Sequence, residues 1–286
     1  MYARQPEFHL EKATVDWAQV PEFSAVYNGA SLVIPVVEHY LNQVMKDVKA
    51  RCGNANPELA EEIDIFTLQE TIHATLHKKF NQCLFDAGID ELKPLMKEVA
   101  AELRQLRETR SLAFNIAFCA GFETIATFGS KYLYEQCDQY FEGADPYMPN
   151  LILWHVAEEF EHRATCHRAF NAVSGNYFMR LYAMAYAFRV IGGYFRRAEA
   201  IVLAHYRRDL PSEARSKSER RSIEIFRRQM RYLIPRMVRI GLPGYDPAHL
   251  PMSPRIAKAL DYFKRTEPIT QRYDPAIGDV VPAVHT

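Results

Sequence analysis

The stretch WHVAEEFEH, residues 154–162, sets a glutamate and a histidine three positions apart within an apolar helix. An earlier stretch, LQETIHATLHKKFN at residues 68–81, repeats this Glu-x-x-His spacing with Glu70 and His73. Residues three or four apart lie on one face of a helix, so each pair can point towards the same ion. The two stretches together therefore predict a metal site built between helices.

Two further helices each carry a single glutamate in apolar surroundings. Glu38 lies in PVVEHYL and Glu123 lies in AGFETIATF. A carboxylate such as Glu123 is costly to bury unless a cation lies beside it. The order Glu, Glu-x-x-His, Glu, Glu-x-x-His matches the ligands of the di-metal carboxylate site in ferritin-like bundles. The sequence therefore predicts an all-α protein with a ferritin-like four-helix bundle around two metal ions.

Some side chains near the pairs admit more than one role. His155 lies four residues before Glu159 and is predicted to be a further ligand, because both share one helix face. In a rival register of that helix Glu158 replaces Glu159, although the Glu-x-x-His spacing favours Glu159. No catalytic side chain is predicted beyond the metal ligands, which are Glu38, Glu70, His73, Glu123, His155, Glu159 and His162. Side chains predicted to support the ligands are His77, Asn81 and Glu158.

Apolar periodicity and chain breakers predict mostly helices in one domain of 286 residues. The first 30 residues are predicted to be irregular, with a turn at Asn28-Gly29. Eight of the 16 prolines fall between Pro235 and Pro282, which predicts an extended tail that wraps the bundle. The bundle core is expected over 31–175, and two more helices and the tail over 176–286. Helices are expected over 31–52, 58–86, 90–110, 112–141, 150–173, 177–208, 212–240 and, in the tail, 255–264.

Charge and cysteine usage limit the classes of function. The net charge is zero, yet residues 207–239 hold eleven basic and four acidic side chains. This basic helix fits a solvated surface or an anionic partner such as a membrane, and no nucleic-acid motif accompanies it. Five separated cysteines without CxxC argue against a disulfide framework and favour a reducing cytoplasm. No secretion signal and no transmembrane segment are expected.

The paired motifs resemble those of a bacterial family described as predicted metal-dependent hydrolases. Its members have similar QExxHxxxHxxFN and WHxxEExEH segments, which here begin at Gln69 and Trp154. The resemblance covers roughly residues 25–250. The ligand order is also similar to that of di-iron N-oxygenases of the p-aminobenzoate N-oxygenase type. Those enzymes have a third histidine at the position that His155 holds here.

These patterns lead to a main functional hypothesis and two alternatives. The main hypothesis is an O2-activating oxidase or oxygenase, N-oxygenase-like in its ligands, with two iron ions, a small organic substrate and an electron donor that the sequence does not identify. The first alternative is a hydrolase with a metal-activated water, for which manganese or zinc could replace iron. The second is a non-catalytic iron-binding protein. The sequence is compatible with a homodimer through 177–208 or 212–240. Four aromatic side chains either belong to the core, the more usual role, or line a substrate channel, namely Phe118, Phe122, Trp154 and Tyr186.

Overall fold

Helices dominate the computed structural model, which describes residues 1–280 of the chain. The all-α prediction is confirmed, because sheet is limited to two-residue strands. The helices are α1 (Pro21–Cys52), α2 (Pro57–Asp86), α3 (Leu92–Thr109), α4 (Leu112–Gln136), α5 (Asp138–Phe141), α6 (Tyr147–Glu161), α7 (Thr165–Val173), α8 (Tyr177–Tyr206), α9 (Ser212–Ile240) and α10 (Pro254–Tyr262). Short 3-10 turns occupy Leu10–Lys12 and Pro247–His249.

Four short strands tie the two ends of the described chain to the helices. Their bounds are β1 (Glu7–Phe8), β2 (Pro268–Ile269), β3 (Tyr273–Asp274) and β4 (Asp279–Val280). β1 pairs in parallel with β2, and β3 pairs antiparallel with β4. The proline-rich tail thus holds the N-terminal segment by backbone hydrogen bonds, and it includes the predicted short helix as α10. Of the prolines assigned to the tail, Pro282 lies outside the described residues.

The first helix begins ten residues earlier than predicted. Pro21 takes the first helical position, where a missing N–H leaves no hydrogen bond unmade. Asn28 and Gly29 therefore lie inside α1, and the predicted turn there is wrong. Asn28 accepts a hydrogen bond from the Trp17 indole (2.9 Å) and donates one to the Val15 carbonyl oxygen (2.8 Å). The Asn28 side chain thus binds the segment that precedes the helix and does not form a turn.

The predicted helix over 150–173 is interrupted, and this interruption shapes the ligand cluster. α6 ends at Glu161 and α7 begins at Thr165. The His162 N–H still donates to the Glu158 carbonyl oxygen (3.1 Å), and the Thr165 N–H donates to the His162 carbonyl oxygen (2.9 Å). His162 therefore lies at a tight turn between two helices. The helix predicted over 112–141 is likewise divided into α4 and the short α5 at Cys137.

Packing of the long helices encloses the interior where the predicted ligands lie. α1 packs along α2 and α8, and α4 packs along α8, α6 and α7. α4 is long and apolar enough to cross a membrane, but 72% of its most apolar window is buried inside the protein. Such burial is typical of a core helix in a soluble protein. The five cysteines are free, as predicted.

Gly29 permits the close approach of α1 and α8. A Cβ atom at this position would lie 2.6 Å from the backbone nitrogen of Glu199, which cannot move without shifting α8. We expect Gly29→Ala to lower the free energy of unfolding by about 1–3 kcal/mol, the usual cost of overpacking. The matched control is Gly193→Ala in α8, because a Cβ there meets no atom within 4 Å.

Urea denaturation of Gly29→Ala and Gly193→Ala measures their free energies of unfolding. The control should equal the native protein or exceed its stability by up to about 1 kcal/mol, because alanine favours a helix over glycine. Equal stabilities of Gly29→Ala and the native protein would contradict the close contact between the two helices.

Candidate metal centre

All seven predicted ligands lie together in the interior, each exposed by 4% or less. Two groups of four have ligand atoms within 4.8 Å of one another. The first group combines Glu38, His73, His155 and Glu159, and the second combines Glu70, His73, Glu159 and His162. His73 and Glu159 belong to both groups. Three helices distant in sequence, α1, α2 and α6 with the turn that follows it, thus supply the two adjoining groups of ligand atoms.

Eight buried polar atoms of this cluster have no hydrogen-bond partner among the described residues. They are both carboxylate oxygens of Glu38 and of Glu70, Nδ1 of His73, Oε1 of Glu123, Oε2 of Glu159 and Nε2 of His162. Unpaired buried polar atoms are costly, and ionised ones more so. Divalent cations among them would remove this cost, so the donor set fits a di-metal site.

The separations between donor atoms support the same conclusion. His155 Nε2 lies 2.8 Å from Glu159 Oε1 and 3.4 Å from Glu38 Oε1. His73 Nδ1 lies 3.8–3.9 Å from oxygens of Glu38, Glu70 and Glu159. Donors about 2.1 Å from one ion lie roughly 3–4 Å from each other, depending on the coordination geometry. The observed distances lie in this range, except the 2.8 Å between His155 and Glu159, which is slightly shorter.

Glu123 lies beside the cluster but outside both groups of four. Its Oε2 is 3.1 Å from Nδ1 of His162, whose Nε2 is 3.1 Å from Glu70 Oε1. The His162 ring is therefore held between two carboxylates from α2 and α4. Glu123 Oε1 stays buried and unpartnered, so the assignment of Glu123 as a ligand stays a prediction.

Glu158 and Glu159 have different surroundings, which bears on the choice between them. Glu159 reaches both groups of four. Glu158 instead places Oε2 3.1 Å from Nε2 of His73 and accepts a hydrogen bond from Arg4 on Oε1 (2.9 Å). A carboxylate behind a metal-binding histidine fixes the orientation and tautomer of the ring. Glu158 is therefore placed to turn Nδ1 of His73 towards the cluster.

Arg4 is a site residue that sequence reasoning missed. It is buried, and besides Glu158 it donates to Glu161 (2.8 Å). Burial raises the pKa of Glu158 to about 7, and Arg4 partly offsets this rise. Burial alone would raise the pKa of Glu161. The hydrogen bond and the charge of Arg4 outweigh burial, so the pKa of Glu161 is lowered. No local pattern marks an arginine in an irregular segment as part of a site about 150 residues away.

A chain of hydrogen bonds leads outward from His155 through His77 to Ser31 and Asn81. Ser31 donates to Asn81 Oδ1 (2.8 Å), while Asn81 Nδ2 donates to the Ser31 carbonyl oxygen (2.9 Å). The Ser31 hydroxyl must then accept from Nδ1 of His77 (2.8 Å). His77 Nε2 in turn accepts from Nδ1 of His155 (2.7 Å). These bonds leave the lone pair of His155 Nε2 directed at Glu38 and Glu159, as a metal ligand requires.

Burial and mutual repulsion determine the charges of the cluster. Both effects raise the pKa of Glu38 and of Glu70 well above the usual range, and they raise the pKa of Glu123 to about 7. Burial opposes the charge on His162, but Glu159 and Glu123 outweigh it and raise the pKa of that histidine to about 9. Without a cation the cluster therefore retains protons, which metal binding would release.

A cavity of about 960 Å³ reaches one side of the cluster. Glu38, His155 and Glu159 lie on its wall, whereas Glu70 and His162 do not. The rest of the wall is mostly apolar and comes from α1, α4, α6, α8 and α9, and His77 of α2 also lines it. The two groups of four are therefore unequal, because the first faces a cavity and the second is enclosed by protein.

Of the four aromatic side chains considered for a substrate channel, one lies on the cavity wall. Phe122 lines the cavity. Trp154 instead packs edge-on against the His73 ring, with 4.8 Å between the centroids. Phe118 packs between Tyr40 and Tyr186, so these side chains lie in the core rather than on the wall.

Comparison with known proteins gives one match. A family model described as "predicted metal-dependent hydrolase" matches residues 2–250. No curated protein and no solved structure matches the chain. The likeness of the ligand order to N-oxygenases therefore has no support beyond the motif itself.

Proposed function

The chain belongs to the predicted metal-dependent hydrolase family, and we propose that it is a two-metal enzyme that acts on a largely apolar small molecule. The observation that carries this proposal is the apolar cavity of about 960 Å³ that ends on Glu38, His155 and Glu159. Pockets of this size and composition are typical of small-molecule sites. A metal that served only to stabilise the fold would need no such cavity.

The donor groups suggest which residues would hold each ion. One ion would be held by Glu38 and His155, the other by Glu70 and His162, with His73 and Glu159 within reach of both. Glu123 is proposed as a further ligand beside His162. Bound there, two divalent ions would supply Lewis acidity and lower the pKa of water in the site.

The chain's own residues would bind and orient the substrate. The apolar walls of the cavity favour a substrate with a hydrocarbon part, and they exclude bulk water from the cluster. The hydrogen-bond chain through His77 and Ser31 holds the His155 ring in one orientation. Arg4 and Glu158 hold His73 in the same way. A reactive group at the inner end of the cavity would thus meet a rigid set of donors.

Hydrolysis is the first candidate reaction, because the family description names it and the donor set meets the needs of a two-metal hydrolase. O2-dependent oxidation by two iron ions is the second candidate. A specific observation favours it, since four glutamates and the two Glu-x-x-His histidines lie buried together as in helical di-iron sites, and His155 adds a third imidazole. Both candidates place the substrate in the same cavity.

Metal analysis and an oxygen test separate these candidates. The full chain would be loaded anaerobically with iron, manganese or zinc, and esters with acyl chains of increasing length would then be supplied with and without O2. Cleavage without O2 supports hydrolysis. O2 consumption that depends on iron and on an apolar substrate supports oxidation. Failure to bind about two divalent ions per chain would contradict both candidates.

Gly129 offers a test of the cavity itself. It lines the cavity from α4, and a Cβ there would meet no atom within 4 Å. We expect Gly129→Phe to weaken binding of a fluorescent long-chain fatty acid by about tenfold or more, because the ring would occupy part of the cavity. Gly129→Ala is the matched control and should bind the probe as the native protein does. Metal content should stay unchanged in both variants, and unchanged probe affinity of Gly129→Phe would rule out this cavity as the binding site.

A further inference from the structure

The outer face of α9 carries a row of five apolar side chains, four of them exposed and Met230 half-buried, which we call the α9 stripe. Its members recur three or four positions apart, so they lie on one face of the helix. Ile234 is 53% exposed and Val238 is 69% exposed. Single exposed apolar residues are ordinary, but a continuous row marks an interaction surface. The α9 stripe consists of Ile223, Phe226, Met230, Ile234 and Val238.

Arginines border the α9 stripe on one side. Arg220, Arg227 and Arg231 are exposed, and within residues 1–280 none of the three forms an ion pair. Glu224 is the acidic side chain among them. The segment 207–239 has eleven basic and four acidic residues, a net charge of +7 from 11 − 4. An apolar face bordered by arginines is typical of helices that lie in the headgroup region of anionic membranes.

The α9 stripe is continuous with the cavity of the metal centre. Four of its five members also line the cavity, namely Phe226, Met230, Ile234 and Val238. An apolar path therefore leads from the outer face of α9 to the wall formed by His155 and its neighbours. Such a path suits a molecule with a hydrocarbon chain that leaves a lipid layer without crossing water.

We propose that α9 docks on an anionic lipid bilayer through the α9 stripe and its bordering arginines. The cavity then opens towards the acyl chains, and an amphiphile from the bilayer can enter it. The entry of an amphiphile into the cavity rests on the proposed function, whereas the docking of α9 on the bilayer does not. A second copy of this chain fits the surface less well. In a symmetric dimer through α9 the basic segment would face its own copy, which like-charge repulsion disfavours.

Vesicle flotation with the full chain tests the docking. The vesicles would contain phosphatidylcholine alone or with about 30 mol% phosphatidylglycerol, a charge density that attracts basic surfaces. We expect at least about tenfold stronger binding to the anionic vesicles, reduced by salt. Ile234→Glu combined with Val238→Glu should abolish binding. The matched control is Leu68→Glu, since Leu68 is 50% exposed on α2 and far from the stripe in sequence; it should bind as the native chain does.

A second pair of variants tests the charges. Arg227→Gln combined with Arg231→Gln should weaken binding by about tenfold or more, because each basic residue near an anionic surface contributes about fivefold. Arg104→Gln, at an exposed arginine of α3, is the control and should have no effect. Circular dichroism would verify that every variant keeps the native helix content.

Three outcomes would overturn the proposal. One is that the chain binds both kinds of vesicle equally well. Another is that the control variants lose as much vesicle binding as the stripe and arginine variants do. The third is a stable dimer in sedimentation experiments that Val238→Glu dissociates, without vesicle binding, since the stripe would then contact a second copy. Vesicle binding is measured on the full chain as purified, without substrate, and it does not depend on catalysis. A failure of the metal-centre proposal would therefore leave this result unaffected.

Discussion

Replacement of Glu159 by glutamine is expected to lower the affinity of the chain for both metal ions by at least about a hundredfold, with a matching loss of activity. Glu159 is one of two residues that reach both groups of ligand atoms. Its carboxylate charge would be lost from both sites at once. The measurement is metal content after dialysis, together with competition against a chelator of known affinity.

Glu158→Gln is the matched control, because the two glutamates are adjacent in the chain and both are buried. Glu158 contacts Arg4 and Nε2 of His73, but it belongs to neither group of four. Glutamine retains an oxygen that can accept from His73, so a loss of only about tenfold is expected. The opposite ranking, with Glu158→Gln as the more severe change, would show that the rival register holds the metal.

Removal of the metal ions is expected to lower the melting temperature by roughly 15 °C or more. Ions that bind only the folded chain stabilise it by about 4 kcal/mol each at a thousandfold excess over Kd. For a chain of this size, each kcal/mol of folding stability shifts the melting temperature by about 2–4 °C. Calorimetry of the loaded and chelator-treated chain would measure the shift. Equal melting temperatures would contradict a structural dependence on bound metal.

The stability of the metal-free chain is also expected to fall as the pH rises from about 6 to 9. Burial and repulsion from Glu159 raise the pKa of Glu123 to about 7, and the neighbouring carboxylates raise that of His162 to about 9. A raised pKa contributes stability at low pH that is lost as the pH rises through the folded-state value. The metal-loaded chain should not change in this way, since cations replace the protons. A parallel decline in both forms would contradict this explanation.

Much of the metal centre was predictable because its ligands obey a local rule. Glu70 and His73 are three residues apart, as are Glu159 and His162, so helix geometry alone puts each pair on one face. The isolated Glu38 and Glu123 stood out because carboxylates are rare in apolar helices. The gathering of all seven groups in one buried cluster agrees with these patterns.

The reaction was harder to predict from the sequence than the residues of the site. The sequence favoured O2 chemistry from the donor types, whereas the family match supports the hydrolytic alternative better. Both reactions use the same carboxylates and imidazoles, so the donor set alone does not distinguish them. The cavity adds information about the substrate, because its walls come from six helices that no single motif connects.

Sequence by itself determined the all-α class, most helix positions and the ligand candidates, because each depends on spacing within one helix. Tertiary structure alone decided how Glu158 and Glu159 divide their roles, since that depends on Arg4 arriving from the N-terminal segment. It also decided the helical state of Asn28-Gly29, where contacts with Trp17 and α8 outweigh local turn preference. Contacts between residues distant in the chain leave no periodic signal, and so only the folded molecule reveals them.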